Sequence, residues 1–300
     1  MALPAIASRR ARPHRTSSSR AMKAFSLKRS APRLANVSYL HLSTISIDMS
    51  ASAALVASLV CGVRVAPTAK RLILVRHGAV NLEKSDPKIK PGGFYGGNVD
   101  VPLSAIGEAE ALAAAKQIAA EYSGEVNGIW ASPMRRALFG ARAVGTALAV
   151  KQSEGAEWTP PMEIVTHDAF REVDRGPIGE GWTNLTPDEI EARDGPNAME
   201  KFAMEEVPGA FKAINGGEGF CDLRERVLKQ RDEVLKALPL GGTGVIVSHL
   251  WVTRSMVGEA MGEPNPLKVD IPTASISVVD YPDGAKPIVV CAGVKPVLEE

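Results

Sequence analysis

From Arg71 onward the chain alternates between two patterns of hydrophobic and polar positions. Short apolar, often β-branched runs, "RLILV" (71–75), "GIWAS" (128–132) and "GVIVS" (244–248), each give way to a polar segment. Apolar residues at successive rather than alternate positions predict strands buried on both faces. "SISVVD" (275–280) and "PIVVCA" (287–292) flank Pro282-Asp283-Gly284 and predict a hairpin. Between the strands, "LSAIGEAEALAAAKQIAAEY" (103–122) places Ala111, Ala115, Ile118 and Tyr122 on one helical face, with Ser104 positioned to cap its start. "FCDLRERVLKQRDEVLKAL" (220–238) does the same with Phe220, Leu223, Val227, Val234 and Leu238 before Gly241-Gly242.

Strands and helices in alternation predict an α/β fold, a three-layer sandwich with a mostly parallel central sheet, one antiparallel edge hairpin and helices on both faces. Residues 70–300 are expected to form one domain without internal repeats, with a looser, Gly- and Pro-containing helical insertion at about 184–217. In such sheets ligands bind beyond the carboxyl ends of the strands. Arg76-His77-Gly78 falls at such an end.

Charge changes the picture at the amino terminus. The net charge of +1 hides an asymmetry: residues 1–70 carry 11 of the 35 Lys/Arg and one acidic residue, Asp48. The remainder is net acidic, which argues against a nucleic-acid binder. Residues 1–47 hold nine Arg/Lys, nine Ser and no Asp or Glu, the character of an organelle transit peptide. Residues 1–69 are therefore expected to be a presequence, directed to the chloroplast by its serine richness or, alternatively, to the mitochondrion, with a disordered basic tail as the other reading. Met49 is an alternative start. "ASAALVASLVCGV" (51–63) has 13 residues, short of the roughly 20 that cross a bilayer, so no membrane partner is expected. The three cysteines, Cys61, Cys221 and Cys291, match no zinc or redox spacing and are expected to be reduced and inert or buried.

The body contains His77, His167 and His249. Two of these end matching constructions, "LILVRHG" and "GVIVSHL", an apolar strand followed by a polar residue and His. Matching strand tips predict that His77 and His249 converge. Two imidazoles and an arginine suit an anion: Arg76 offers planar paired donors to phosphate oxygens, and a neutral histidine can attack phosphorus and hold the phosphoryl group. Gly78 is expected to let the chain turn sharply without a side chain blocking the anion. "WASPMRRALFGARAVG" (130–145) begins a helix with Arg135 and Arg136, and a helix N-terminus already favours anions. A solvated basic first turn would be unfavourable against the helix dipole, which favours a functional role for one of the pair. A leaving alkoxide needs a proton, and "FREVDRG" (170–176) offers Glu172 and Asp174. His167 is expected to be peripheral.

Together these segments resemble the histidine phosphatase superfamily, which includes the cofactor-dependent phosphoglycerate mutases, over about residues 71–292. The order of motifs matches: Arg-His-Gly, "GGNVDVPLSAIGEAEA", "SPMRRA", "FREVDRG", "LTPDEIEARDG", "GGEGFCDLRERV" and "VIVSHLWVTRSMV". The resemblance implies that His77 is the nucleophile, that Arg76, Arg136 and His249 hold the phosphoryl oxygens, and that Glu172 is the acid. The other branch of the superfamily places Asp directly after the second histidine; Leu250 stands there, which favours Glu172. The implied activity is hydrolysis of a small-molecule phosphomonoester through a phosphohistidine, with no metal and no cofactor. A phosphoglycerate mutase using 2,3-bisphosphoglycerate and a non-catalytic binder of a phosphorylated ligand are the alternatives. Ala79, Gly140, Leu250 and the "GGEG" stretch depart from the family pattern, so the pocket rim differs and the substrate is not named. The motifs carry no signal for oligomeric state.

Overall fold

The computed structural model describes residues 68–298, apart from positions 87, 98, 154–160, 175, 177–180 and 199–216. The expected presequence lies outside the described residues but for its last two positions. Cys61 and most of the expected insertion also lie outside them.

Among the described residues the strands are β1 (Lys70–Arg76), β2 (Val126–Ala131), β3 (Ile164–Thr166), β4 (Thr243–Ser248), β5 (Ile276–Tyr281) and β6 (Ile288–Val294). The α-helices are α1 (Ala105–Tyr122), α2 (Arg135–Gln152), α3 (Pro187–Asp194), α4 (Phe220–Ala237) and α5 (Leu250–Met261). The strands form one sheet in the order β3-β2-β4-β1-β5-β6. The first four neighbours run parallel, while β5 is antiparallel to both β1 and β6. Gly284, at φ 67°, supplies the left-handed residue of the β5–β6 turn.

The continuous apolar run of β1 serves two cores. Leu72 and Leu74 pack with Leu223, Val227 and Val234 of α4 and with Val252 and Met256 of α5. Ile73 and Val75 point the other way, against Ala114 and Ile118 of α1 and Ala137, Val144 and Leu148 of α2. Each such side chain contributes about 1.5–3 kcal/mol by leaving water, so the strand is a rigid mount for whatever follows it. Ser104 caps α1 as the sequence predicts, its side chain accepting from the Gly107 N–H. The segment near 184–198 contains α3, which Thr186 and Glu189 begin with a reciprocal capping box.

Gly78 has a different reason from the expected sharp turn. It is not among the glycines with positive φ. A Cβ there would fall 2.1 Å from the Gly107 carbonyl oxygen, and one on Gly107 would fall 1.9 Å from the Ala79 oxygen. The two glycines let the tip of β1 and the first turn of α1 meet backbone to backbone. Cys221 is exposed and Cys291 half-buried, and neither is in a disulfide. Among the described residues no helix is long and apolar enough to cross a membrane.

Candidate active site

The site is built by register. Arg76 of β1 lies opposite Ser248 of β4, and Ala131 of β2 lies opposite Val247 on the other side. The ladder runs one residue past the strands: the His77 N–H donates to the Ser248 oxygen at 2.9 Å and the Ser132 N–H to the Val247 oxygen at 3.1 Å. The residues following three neighbouring parallel strands therefore arrive at one level. The rings of His77 and His249 stand with centroids 5.1 Å apart and planes at 64°, and His249 Nε2 is 2.7 Å from Ser132 Oγ.

His77 Nδ1 lies 2.8 Å from the Gly78 carbonyl oxygen. A carbonyl only accepts, so Nδ1 carries the proton and the neutral ring keeps its lone pair on Nε2. Burial, then the charges of Arg136 and Arg76, hold His77 well below the usual imidazole range. Burial, Arg136 and His77 do the same to His249, which is fully buried. Both rings are neutral at pH 7. In the unfolded chain each takes up a proton near pH 6.5, while in the folded protein it does so only at much lower pH. The unfolded state then binds more protons, and stability is lost as pH falls below about 6.5, by up to about 1.4 kcal/mol per histidine per pH unit. Denaturant unfolding at pH 7.0 and 5.5 should show this loss, and H249N should lose less between the same two points. Equal losses in the two proteins would contradict it.

The cations come from two elements. Arg136, in the first turn of α2 and only 1% exposed, donates from Nη1 to the Val99 oxygen at 2.9 Å and from Nη2 to the Gly97 oxygen at 3.3 Å. Arg76 donates from Nη1 to the Ile271 oxygen at 2.7 Å. Arg135 instead stays on the surface, where the Asp100 carboxylate takes its side chain and its backbone N–H. Of the two arginines at this helix start, Arg136 is the one that enters. Burial lowers the pKa of Arg76 and Arg136, opposed by Glu172 and Tyr95, and both stay charged.

Arg76 Nε, Arg136 Nε and His249 Nδ1 are buried without a hydrogen-bond partner; only three other buried side-chain polar atoms among the described residues share that condition. A buried unmatched polar atom costs about 1–3 kcal/mol, so such atoms are scarce in folded proteins. Gathered on two cations and an imidazole, they fit a ligand that presents several anionic oxygens.

Glu172 is half-buried. Its Oε1 accepts from the Val173 N–H at 3.0 Å and from the Trp251 N–H, in the first turn of α5, at 3.3 Å. Its charge acts on Arg76, Arg136 and Tyr95. Asp174 is exposed, with Oδ1 accepting from the Gly176 N–H, so Glu172 is the one of the two carboxylates that lies with the cations. His167 is exposed and accepts from the Ala169 N–H at 3.0 Å, capping a short turn at Asp168–Phe170. It takes no part in the cluster.

Three participants escaped the sequence patterns. Ser132 follows β2 just as His77 follows β1, and the strand-tip rule applied to all three strands would have found it. Tyr95 feels Arg136, Glu172 and Arg76, with burial raising its pKa first. Glu110 of α1, 3% exposed, accepts from the Ala79 N–H at 2.9 Å, from Thr273 Oγ1 at 3.3 Å and from Lys295 Nζ at 2.6 Å. It ties the loop that carries His77 to α1 and to the carboxyl-terminal segment. The departure at Gly140 also has a local cause: a Cβ there would lie 3.2 Å from Val247 Cγ1 of β4. Among the described residues no group of three or more His, Cys, Asp or Glu side chains is placed to hold a metal ion.

Fold and site thus define an α/β protein with two imidazoles and two guanidinium groups gathered at the carboxyl ends of its parallel strands. A profile of the histidine phosphatase superfamily (branch 1) matches residues 72–292. The chain belongs to that superfamily. No curated protein matches it. Among solved structures it is similar to a mycobacterial glucosyl-3-phosphoglycerate phosphatase in complex with VO3, at 20% identity and TM-score 0.57 over 75% of this chain and 99% of that one. It is similar to YhfR of Bacillus stearothermophilus at 22% identity and TM-score 0.57, over 77% of this chain and 100% of that one. The phosphoglycerate mutase of Bacillus anthracis str. Sterne follows at 17% identity and TM-score 0.55, over 76% and 94%. At these identities the likeness is one of fold.

Proposed function

We propose that the protein is a phosphomonoesterase that hydrolyses a small phosphate ester through a phosphohistidine on His77. The observation that carries this reading is the Nδ1–Gly78 bond, which fixes the lone pair on Nε2 beside a second neutral imidazole, the buried Arg136 and the half-buried Arg76. Nε2 attacks phosphorus and the bond from phosphorus to the ester oxygen breaks. The bound phosphate dianion favours the acid form of Glu172 beside it, and the leaving oxygen takes the proton of that carboxyl group. Arg76, Arg136 and His249 meet the charge on the remaining phosphoryl oxygens, which is the larger part of catalysis in phosphoryl transfer. In the second half, water attacks phosphorus, its proton passes to the Glu172 carboxylate, the N–P bond breaks and His77 is restored.

The test is to incubate the protein with a panel of labelled phosphomonoesters, measure phosphate release, and quench in base to trap acid-labile phosphate on His77. Release with trapped phosphohistidine is the expected result. Phosphoglycerate isomerisation without net release would instead make it a mutase, and binding with neither would make it a phospholigand receptor.

The role of Glu172 has its own signature. An alkoxide needs a proton to depart and a nitrophenolate does not. Glu172→Gln should slow ethyl phosphate hydrolysis by about 100-fold or more and p-nitrophenyl phosphate hydrolysis far less. Equal slowing of the two would remove Glu172 as the acid.

A further inference from the structure

The segment that carries Glu172 has no helix or strand to hold it: residues 171–174 lie between a short turn and the next described helix. Its placement comes from elsewhere. Arg226, half-buried in the second turn of α4, donates from Nη1 to the Ala169 oxygen at 2.6 Å and from Nη2 to the Arg171 oxygen at 3.0 Å and the Glu172 oxygen at 3.3 Å. Its remaining edge faces Glu218, with Nη2 donating to Oε2 at 2.8 Å and Nε to Oε1. Glu218 in turn grips the far end of the same segment: its N–H donates to the Asp174 oxygen at 2.7 Å and its Oε2 accepts from the Asp174 N–H at 3.2 Å. Arg226 and Glu218 thus bind the backbone on both sides of Glu172, at residues 169, 171, 172 and 174.

We propose that Arg226, oriented by Glu218, is a positioning residue that sets where the Glu172 carboxyl group stands relative to the leaving oxygen. This rests on Glu172 being the acid. Arg226 is not a catalytic residue, since every bond it makes here goes to backbone carbonyls or to Glu218. A guanidinium suits the task because its planar fork reaches several carbonyl oxygens at fixed spacing, while a lysine is a single point charge on a flexible stem. Proton transfer needs the donor within hydrogen-bond reach of the leaving oxygen. A backbone displaced by about 1 Å far from the chemistry can cost on the order of 100-fold in rate.

The experiment compares R226K, E172Q and the double variant on ethyl phosphate and p-nitrophenyl phosphate, with circular dichroism and thermal unfolding on each. R226K keeps a cation opposite Glu218 and is chosen so that the helix and the ion pair survive. Misplacement of the acid predicts that R226K slows ethyl phosphate turnover about 10- to 100-fold, p-nitrophenyl phosphate less than about threefold, and neither any further in the E172Q background. A second variant, E218Q, should show the same selectivity in weaker form. A general structural role would slow both substrates alike and would add its full effect to that of E172Q; either result overturns the proposal. If E172Q discriminates between the substrates and R226K does not, the clamp alone is wrong. If E172Q treats them alike, the acid assignment is wrong and the clamp falls with it.

Discussion

His77→Ala is expected to lower phosphate-ester turnover by at least about four orders of magnitude, because under the proposed mechanism it removes the covalent nucleophile, a whole reaction path rather than one stabilising contact. The fold should survive. The sheet is fixed by Leu72, Ile73, Leu74 and Val75, all buried, and not by the ring at the strand tip. Steady-state turnover, rapid-quench trapping of labelled phosphoenzyme and thermal unfolding are the measurements. The variant should yield no trapped phosphate while keeping its circular dichroism spectrum. Near-normal turnover would show that another group attacks phosphorus.

Arg136→Met should cost about 10³- to 10⁵-fold in turnover, the range seen when an arginine that meets transition-state charge is removed. Its effect on stability should go the other way or vanish. Arg136 is a buried ion whose Nε has no partner, and taking a charge out of water costs several kcal/mol that its two carbonyl bonds repay only in part. The Val99 and Gly97 carbonyls lose a donor, a smaller cost for a group with two lone pairs. Arg136 is also the main charge holding both imidazoles low, so NMR titration of the variant should show both histidines protonating at higher pH than in the parent. A variant that kept activity within tenfold would place Arg136 outside the reaction.

The elements that were legible in the sequence are those whose pattern is set by burial or capping. β1 and β4 read as continuous apolar runs because each is covered on both faces, and α1 carried its Ser104 cap. β3 was not legible: it is three residues long, with Val165 and Thr166 exposed, and so carries no apolar run. α5 was also missed, since it starts at Leu250 without a side-chain cap at His249 and without a linker after β4. At the site, the two histidines were legible because strand tips converge in a parallel sheet. Charge and helix position alone do not separate Arg135 from Arg136, neighbours in one helical turn, although the motif resemblance picks Arg136; the physical difference between them is Asp100, which holds Arg135 at the surface. Arg226 and Glu110 act on backbone groups distant in the chain. Recognition of a carbonyl or an amide imposes nothing on the residue type it belongs to, so such contacts leave no trace in a local motif.

The pairing of Arg76 with Ser248 joins the first strand of the domain to one close to its end. Neither histidine has a neighbour to work with until that pairing exists. A chain still emerging from the ribosome, or one cut between the two strands and separated, holds every residue of the first half of the pocket and no pocket. The facing pair of imidazoles is a property of the completed domain, and an unfinished copy holds only one of the two rings.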